Sequence, residues 1–515
     1  MSSKPSLPSW ISQRASGILL HITSLPSSYG IGNVGKDARA FVDFLNKAGF
    51  RYWQTCPVGP TGFGDSPYQV FSSFAGNPYL IDWDPLIDIG MIRYDELTAL
   101  LELPANEVDY GTLYHSFHLP ARLAFSRFSE FQQKLELLYG EMDSFSGENE
   151  YWLVPYACFQ ALKQAESNKA WWEWPNSSRT LNGSLLAELR TSQEFGFQVF
   201  LQYLFWGQWK KLRAYANGRN VSLLGDLPIY EAPDSSEVWQ RPELFQVDDA
   251  SVFSHVAGVP PDYFNENGQY WGNPLYDWDR HEAEGYAWWM NRLTVQLKLF
   301  DVVRIDHFRG FHDYWSIPTE TADARSGSWK KGPGMKFWEV ARERFPALPF
   351  LAEDLGLISE GVRDLRRDAG LPGMAVLQFA FDGDAQNLYL PHNLENDLVL
   401  YTGTHDNDTT AGWYASASEE VRGNFRSYLT VDGSHPSWDM LRLAYRSIAP
   451  LVVVPAQDLL SLGSDARFNE PGHPFGNWKW RLTKVQLERL VSESASYLAE
   501  QAKITGRLAN SNEID

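Results

Sequence analysis

Residues 301–311, DVVRIDHFRGF, combine the apolar pattern of a buried β-strand with two arginines, two aspartates and a histidine. Because strand side chains alternate between faces, Arg304 and Asp306 point to one side, while Val303 and Ile305 point to the other. A guanidinium therefore lies beside a carboxylate where the strand ends. The positive charge favours the ionised aspartate and orients it, as a carboxylate nucleophile requires, although a purely structural ion pair is the alternative.

Seven further apolar runs share this pattern, and helical patterns lie between several of them. The eight runs are GILLHI (17–22), RYWQTCPV (51–58), SLLGDLPI (222–229), VVRIDH (302–307), PFLAEDLG (349–356), MAVLQFAF (374–381), LVLYTGTHD (398–406) and LVVVPAQDLL (451–460). Strands that alternate with helices predict a parallel sheet, and eight of them suggest a (β/α)8 TIM barrel, an α/β fold. A doubly wound sheet of eight buried strands is the alternative from the pattern alone.

Polar residues stand mostly at the C-terminal ends of these runs, where the reactive groups of such a barrel belong. They are His21, Asp226, Asp306, Glu353, Asp406 and Asp458. Asp306, Glu353 and Asp406 would bring carboxylates from three strands to one mouth. Glycoside chemistry uses such a set, since one carboxylate attacks the anomeric carbon while a protonated partner donates to the leaving oxygen. Like charges in one cleft also raise one pKa, which keeps an acid protonated near neutral pH.

Composition narrows the class of partner. The 515 residues carry a net charge of −20 without a basic cluster, so nucleic acid is an unsuitable partner, and a neutral or cationic substrate is favoured over a polyphosphate. Aromatic residues reach 15%, and several lie in polar, Gly/Pro-rich segments, where flat rings suit the faces of sugars. Two cysteines, no signal-like N-terminus and no apolar stretch of membrane-spanning length predict a cytoplasmic protein without membrane contact.

We expect one catalytic barrel over residues 1–515 with two insertions. A mainly helical lobe is predicted at about 83–215, where long amphipathic patterns separate the second and third runs. The second insertion is predicted at about 230–300, and its residues 255–278 are interpreted as a loop that covers the substrate.

Three local patterns predict helices with defined ends. Residues 34–49 carry an apolar stripe that stops at Gly49, and residues 359–370 run from a possible N-cap, Ser359, to Gly370. Residues 483–502 are predicted to form a closing C-terminal helix.

The order and content of the polar motifs resemble the amylomaltase, 4-α-glucanotransferase or disproportionating-enzyme family, glycoside hydrolase family 77 of the α-amylase superfamily. The resemblance covers about residues 17–481. Its motifs are GILLHITSLPSSYGIG (17–32), GDSPYQVFSSFAGNPYLID (64–82), GDLPIY (225–230), GVPPDYFNENGQYWGNPLYDW (258–278), VVRIDHFRGF (302–311), LAEDLG (351–356), TGTHDNDTTAGW (402–413) and RFNEPG (467–472).

The resemblance implies a catalytic role for three positions. Asp306 matches the family nucleophile, Glu353 the general acid/base, and Asp406 the acid that stabilises the transition state through sugar hydroxyls. Reasoning from the residues alone would not choose Glu353 over its neighbour Asp354, which faces the other way along the strand.

Further positions match substrate contacts in the family. These are Tyr68, Asp226, Arg304 and His405 around the scissile sugar, and Tyr263 and Phe264 in a mobile loop that holds the acceptor. Phe63 stands where many relatives have Tyr, a position linked to a secondary glucan-contact site outside the cleft, and it is left out of the predicted site.

The activity implied is transfer of a segment of an α-1,4-glucan to the 4-hydroxyl of glucose or another glucan, by a retaining double displacement. The resemblance implies neither a cofactor nor a metal ion, although THDND at 404–408 contains residue types that can bind metal ions. A hydrolase of α-amylase type with the same carboxylates is the nearest alternative, and a non-catalytic glucan-binding protein is an alternative of another class. The preferred glucan length, the physiological pathway and the oligomeric state stay open.

Overall fold

The structure is a computed structural model that describes residues 7–62, 64–248, 252–261, 266–356, 358–473 and 475–508. Its strands are β1 (Ala15–Leu19), β2 (Tyr52–Gln54), β3 (Ser222–Leu227), β4 (His255–Val259), β5 (Gln269–Pro274), β6 (Val302–Ile305), β7 (Asp313–Pro318), β8 (Ser328–Lys331), β9 (Phe350–Ala352), β10 (Gly373–Val376), β11 (Leu398–Tyr401) and β12 (Leu451–Pro455).

Helices connect and surround these strands. They are α1 (Lys36–Ala48), α2 (Asp84–Asp88), α3 (Thr98–Leu101), α4 (Tyr110–Ser126), α5 (Phe128–Tyr139), α6 (Met142–Glu148), α7 (Glu150–Ala165), α8 (Gly183–Arg190), α9 (Gln193–Asn217), α10 (Ser236–Gln240), α11 (Trp278–Ala283), α12 (Ala287–Leu299), α13 (Met335–Arg344), α14 (Glu360–Ala369), α15 (Thr410–Ser416), α16 (Glu419–Leu429), α17 (Pro436–Arg446), α18 (Ala456–Leu459), α19 (Lys484–Arg489) and α20 (Ala495–Ile504). None of the described helices is both long and apolar enough to cross a membrane.

Eight parallel strands form the central sheet in the order β10-β11-β12-β1-β2-β3-β6-β9. The two end strands meet where the backbone N–H of Ala352 donates to the carbonyl of Pro372, 3.0 Å away, so the sheet curls into a barrel. Each strand lies within one of the eight runs recognised in the sequence or overlaps it. The prediction of a (β/α)8 barrel is therefore confirmed, and the doubly wound alternative is wrong.

Strand β6 shows why an apolar run ends in charges. Its residues are buried, and in the register with β3 the partner of Arg304 is Asp226. Partnered residues of neighbouring strands share a face, so these two side chains meet inside the barrel. Gly225 precedes Asp226, and a Cβ there would lie 2.1 Å from the ring of Phe300, so only glycine fits.

Two predicted helix ends are observed. Helix α1 ends at Gly49, whose φ of 81° lies in the left-handed region that glycine adopts easily. Helix α14 begins after Ser359 and ends at Gly370, with φ 71°, but the Ser359 side chain makes no capping hydrogen bond. The C-terminal helix differs from the prediction, because a π-helical turn at Leu490–Ser494 separates α19 from α20.

A helical region between β2 and β3 and a small second sheet lie outside the barrel. Helices α2 to α9 occupy residues 84–217. Residues 255–278, interpreted from the sequence as a loop, instead contain β4 and β5, which join β7 and β8 in an antiparallel sheet of order β5-β4-β7-β8. Pro and Gly hid these strands from sequence analysis, since a bulge between Val256 and Gly258 interrupts their alternation.

Candidate active site

Arg304 is the centre of the polar cluster inside the barrel mouth. Its Nη1 lies 2.7 Å from both carboxylate oxygens of Asp226, and its Nη2 lies 2.9 Å from Oδ1 of Asp306. Both carboxylates raise the pKa of Arg304 against the effect of its burial, so the guanidinium stays charged. One buried cation thus orients two carboxylates from neighbouring strands.

Asp306 follows directly on β6 and stands at the boundary with solvent. Its backbone N–H donates to the carbonyl of Leu227 at 3.0 Å, which continues the pairing with β3. The side chain is 30% exposed, whereas that of Arg304 is 4% exposed. The Asp306 carboxylate is oriented by Arg304 on its buried side and is open on its solvent side, so its oxygen can attack an electrophilic carbon there.

Glu353 follows β9 and faces the same mouth. Its Oε2 accepts from the backbone N–H of His307 at 2.8 Å, and its Oε1 accepts from that of Leu355 at 2.9 Å. His307 has φ 50°, in the left-handed region. Removal from water raises the pKa of Glu353 to about 7, and the charge of Asp306 adds to this rise. The group can therefore donate and accept a proton near neutral pH.

Asp354, the neighbour that sequence reasoning could not separate from Glu353, points away from the mouth. It pairs with Nε of Arg366 at 3.0 Å and accepts from the backbone N–H of Met374 at 2.8 Å. These contacts fasten β9 to α14 and to β10. Asp354 has no place in the polar cluster of Arg304.

Asp406 brings a third carboxylate to the mouth, from the loop after β11. Its Oδ2 lies 3.4 Å from Nε2 of His405, and its side chain is 47% exposed. Its Oδ1 accepts from the amide of Asn469 at 2.6 Å. Partial removal from water would raise the pKa of Asp406, but His405 and Asn469 together lower it below the ordinary value. The group is a permanent anion at neutral pH.

Tyr68 connects this carboxylate to the Arg304 cluster. Its hydroxyl donates to Oδ2 of Asp226 at 2.8 Å and lies 3.4 Å from Nδ1 of His405, and the Tyr68 and His405 rings stack at 4.9 Å. Burial would lower the pKa of His405, but the charge of Asp406 outweighs it and raises the pKa. In the protonated form of His405 both ring nitrogens are donors, with Nδ1 facing Tyr68 and Nε2 facing Asp406.

Seven of the predicted site residues thus meet at one mouth: Tyr68, Asp226, Arg304, Asp306, Glu353, His405 and Asp406. Two polar strand ends do not join them. His21 is buried with Nδ1 3.1 Å from the Thr55 hydroxyl, and Asp458 accepts hydrogen bonds from Thr402 and Thr410. Tyr263 and Phe264 lie outside the described residues, as does Phe63.

Sequence reasoning missed three residues of this region. Asn469 lies in RFNEPG, a motif that was recognised but received no role. The Trp271 ring stands edge-on to His307 at 4.9 Å, and the Trp478 ring packs at 5.8 Å from both Tyr68 and His405. Trp271 could have been found from the sequence, because it lies in an aromatic, Gly/Pro-rich segment. No sequence pattern singled out Trp478.

A cavity of about 960 Å³ has a lining that includes none of Asp306, Glu353 and Asp406. Residues 60–62, 64–65 and 69–71 and helices α4 and α7 contribute to its lining, so Gly62 and Gly64, which flank Phe63 in the sequence, are among the lining residues.

The barrel and its three strand-end carboxylates define an enzyme that acts on glycosidic bonds. Comparison with known proteins gives the family. The family model described as 4-alpha-glucanotransferase matches residues 20–487. The 4-alpha-glucanotransferase of Thermus thermophilus is 46% identical over 96% of this chain and 99% of its own length. The chloroplastic/amyloplastic 4-alpha-glucanotransferase of Solanum tuberosum is 39% identical over 96% of this chain and 87% of its own.

A solved structure agrees with these relatives. The amylomaltase from Streptococcus agalactiae in complex with acarbose superposes with a TM-score of 0.92 at 37% identity, over 96% of this chain and all of that one. The chain therefore belongs to the 4-α-glucanotransferase family. Its enzyme class is that of a 4-α-glucanotransferase, and the hydrolase alternative is not favoured.

Proposed function

We propose that the chain exchanges α-1,4 bonds between maltooligosaccharides by double displacement, with Asp306 as nucleophile and Glu353 as general acid/base. The observation that carries the proposal is the unequal environment of two carboxylates at one mouth. Arg304 holds Asp306, while removal from water raises the pKa of Glu353 to about 7. One group is thereby suited to attack and the other to donate a proton.

In the first step Asp306 attacks C1 of the donor sugar, and the bond between C1 and the glycosidic oxygen breaks. Glu353 gives its proton to that oxygen, so the departing glucan leaves as an alcohol. The product is a β-glucosyl ester on Asp306. Arg304 must release part of its hold on Asp306 as the negative charge passes into the ester.

In the second step Glu353, now ionised, takes the proton from the 4-hydroxyl of glucose or of another α-1,4-glucan. That oxygen attacks C1, the ester bond breaks, and Asp306 is restored with net retention. Asp406 is proposed to bind sugar hydroxyls as positive charge develops on the ring. Asp226, Tyr68 and His405 hold the charged groups around the same sugar in place.

A first experiment tests the reaction class. Purified protein is incubated with maltotriose alone, while product lengths are followed by chromatography and reducing ends are counted. Glucose and a ladder of longer products at constant reducing ends are expected. Rising reducing ends with only shorter products would mean hydrolysis instead, and an unchanged substrate would mean that the protein only binds glucans.

A second experiment tests the two roles separately. With α-maltosyl fluoride as donor, fluoride leaves without an acid, so Glu353→Gln should form the ester and then stall because the base is missing. Mass spectrometry should find a maltosyl adduct on the peptide that contains Asp306. Asp306→Asn is the matched control and should give no adduct. An adduct on another residue would overturn the assignment of the nucleophile.

A further inference from the structure

The segment 464–473 carries RFNEPG, which the proposed reaction leaves without a role. It lies over the loop after β11 and makes three contacts with it. The Ser464 hydroxyl donates to Asp408 at 2.6 Å, Nη2 of Arg467 donates to the carbonyl of Asp406 at 2.6 Å, and the Asn469 amide donates to Asp406 Oδ1 at 2.6 Å. Of these three contacts, only that of Asn469 reaches the side-chain carboxylate of Asp406.

The contact with Asp406 determines which atom of the Asn469 side-chain amide faces the carboxylate. An ionised carboxylate only accepts hydrogen bonds, so the amide nitrogen of Asn469 faces Asp406. With Oδ1 engaged by Asn469 and Oδ2 facing His405 at 3.4 Å, rotation of the carboxylate would lose both contacts. Asp406 is 47% exposed, so without these partners its side chain would be free to turn toward solvent.

The segment that holds Asn469 is itself anchored. Arg467 Nε donates to the carbonyl of Asn469 at 2.6 Å, and the backbone N–H of Trp478 donates to the carbonyl of Phe468 at 2.6 Å. Trp478 is buried and has φ 63°, in the left-handed region that a bulky residue rarely adopts. Asn469 is therefore held in place before any substrate arrives.

We propose that Asn469 is a positioning residue for the transfer reaction, which fixes the carboxylate of Asp406 in the orientation that receives the sugar hydroxyls. This inference rests on the proposed role of Asp406. Because Asn469 acts through Asp406, it stabilises the transition state more than it tightens substrate binding. Its loss lowers kcat and leaves KM nearly unchanged.

The first test replaces Asn469 by Ala. A hydrogen bond to a charged group contributes about 1.5–3 kcal/mol, so kcat for disproportionation of maltotriose should fall roughly 10- to 150-fold, with KM changed less than about threefold. Asn477→Ala is the control from the same segment: it removes the hydrogen bonds of Asn477 with the backbone N–H of Glu470 and the carbonyl of His473, and so loosens the segment, but it leaves the Asn469 amide that contacts Asp406. That control should lower the melting temperature without the same fall in kcat.

The second test uses Asn469→Asp, which keeps the shape of the side chain but removes the donor. At pH 8 two carboxylates face each other, and activity should fall below that of Asn469→Ala. As the pH falls toward 5, a proton shared by the two acids restores a donor, so the activity relative to the parent protein should rise at least about tenfold. Among the described residues, the charged groups near Asp406 include His405, Arg304 and Arg467, with Asp408 and Glu470 close by in the sequence of the two contacting segments, and all are the same in both proteins.

A double variant separates this inference from the proposed function. In an Asp406→Asn background, Asn469→Ala should add no further loss, because the group through which it acts is gone. If Asp406→Asn itself retained full transfer activity, the proposed function would be wrong. If Asp406→Asn were inactive while both Asn469 variants kept kcat within threefold of the parent at every pH, only the positioning role would be overturned. If Asn477→Ala lost as much kcat as Asn469→Ala, the role of Asn469 would be structural and the positioning role would be overturned.

Discussion

Arg304 and Arg292 are both buried and both bind carboxylates, yet they stand in opposite surroundings. Arg304 binds Asp226 and Asp306 inside the barrel mouth. Arg292, on α12, binds Glu231 with Nε 2.9 Å from Oε1. The side chains of Arg292 and Glu231 are 1% and 0% exposed, whereas Asp306 is 30% exposed. The first network opens to solvent at one end and the second is sealed.

The sealed network joins two loops that carry the site. Arg292 donates to the carbonyls of Pro228 and Ile229, just after Asp226, and to the hydroxyl of Ser73. Ser73 also donates to Glu231 at 2.7 Å. The loop of Ser73 is the one that presents Tyr68, so Arg292 connects the loop of Tyr68 to the strand end of Asp226.

The comparison shows that an arginine and a carboxylate do not by themselves make a site. Both networks use the same groups at similar distances, and both cost free energy to bury. What distinguishes the mouth is exposure: Asp306 has one side free of protein, and Glu353, the acid with a raised pKa beside it, is partly exposed, whereas Glu231 and Glu237 of the sealed network are buried. Each prediction below alters one network and compares it with the other.

Asp306→Asn should break the open network with the largest effect. Removal of a nucleophile should lower kcat by at least about 10³-fold, while the melting temperature stays close to that of the parent because the side chain lies at the boundary with solvent. Arg304 keeps its contact with Asp226 in this variant. Steady-state transfer from maltotriose and differential scanning calorimetry check the two parts, and a variant with substantial activity would contradict the assignment.

Arg292→Ala should break the sealed network and show the opposite pattern. Glu231 would be left buried without its cation, which costs about 3–5 kcal/mol of unfolding free energy. Urea unfolding measures that loss. The kcat of the fraction that folds should change far less than in Asp306→Asn. Arg241→Ala, which removes an exposed ion pair with Glu243 and Glu284, is the control and should cost less than about 1 kcal/mol.

The sequence predicted the open network better than the sealed one. Arg304 and Asp306 were recognisable because they interrupt a β-branched run at a strand end, and the eight runs fixed the barrel. Glu353 could be separated from Asp354 only through the family resemblance, since strand alternation alone does not say which face is the mouth. Asp226 and Glu231 lie five residues apart in one segment, and nothing in that segment says that Asp226 pairs with the arginine of the mouth while Glu231 pairs with the sealed one.

Other features depend on contacts between distant parts of the chain. Asn469 and Asp406 are 63 residues apart in the sequence, and Arg292 and Ser73 are 219 apart. No local sequence pattern could therefore predict either contact. The sheet of β5, β4, β7 and β8 was missed because glycines and prolines disguised two of its strands. The roles of Tyr263 and Phe264 stay predictions.

The pH dependence of transfer should sharpen the difference between the acids of the mouth. Glu353 must be protonated for the first step, and its pKa is raised to about 7. The kcat/KM for maltotriose should therefore fall about tenfold per pH unit well above pH 7. With α-maltosyl fluoride as donor, formation of the ester needs no acid. The single-turnover rate of ester formation from this donor should therefore not fall above pH 7. A fall that persisted would assign the titration to a group other than Glu353.

The smallest effect on transfer activity is expected from Glu237→Gln, in the sealed network. Glu237 accepts from the Ser72 hydroxyl at 2.6 Å, and its Oε2 and that of Glu231 are buried without a hydrogen-bond partner. Burial and the charge of Glu231 raise the pKa of Glu237 to about 8, with Arg292 opposing. Between the ordinary pKa and this value the folded protein holds a proton that the unfolded chain releases. Stability therefore falls as the pH rises through that window.

Glutamine keeps the neutral form at every pH, so the variant avoids this loss. Its melting temperature relative to the parent should rise from pH 5 to pH 8 and level off above pH 8, while kcat for transfer follows the parent's pH profile. Glu243→Gln, at an exposed position, is the control and should give a flat difference. A flat difference for Glu237→Gln as well would mean that the sealed network holds no proton of its own. The two networks would then differ in exposure alone, with proton storage confined to Glu353 at the mouth.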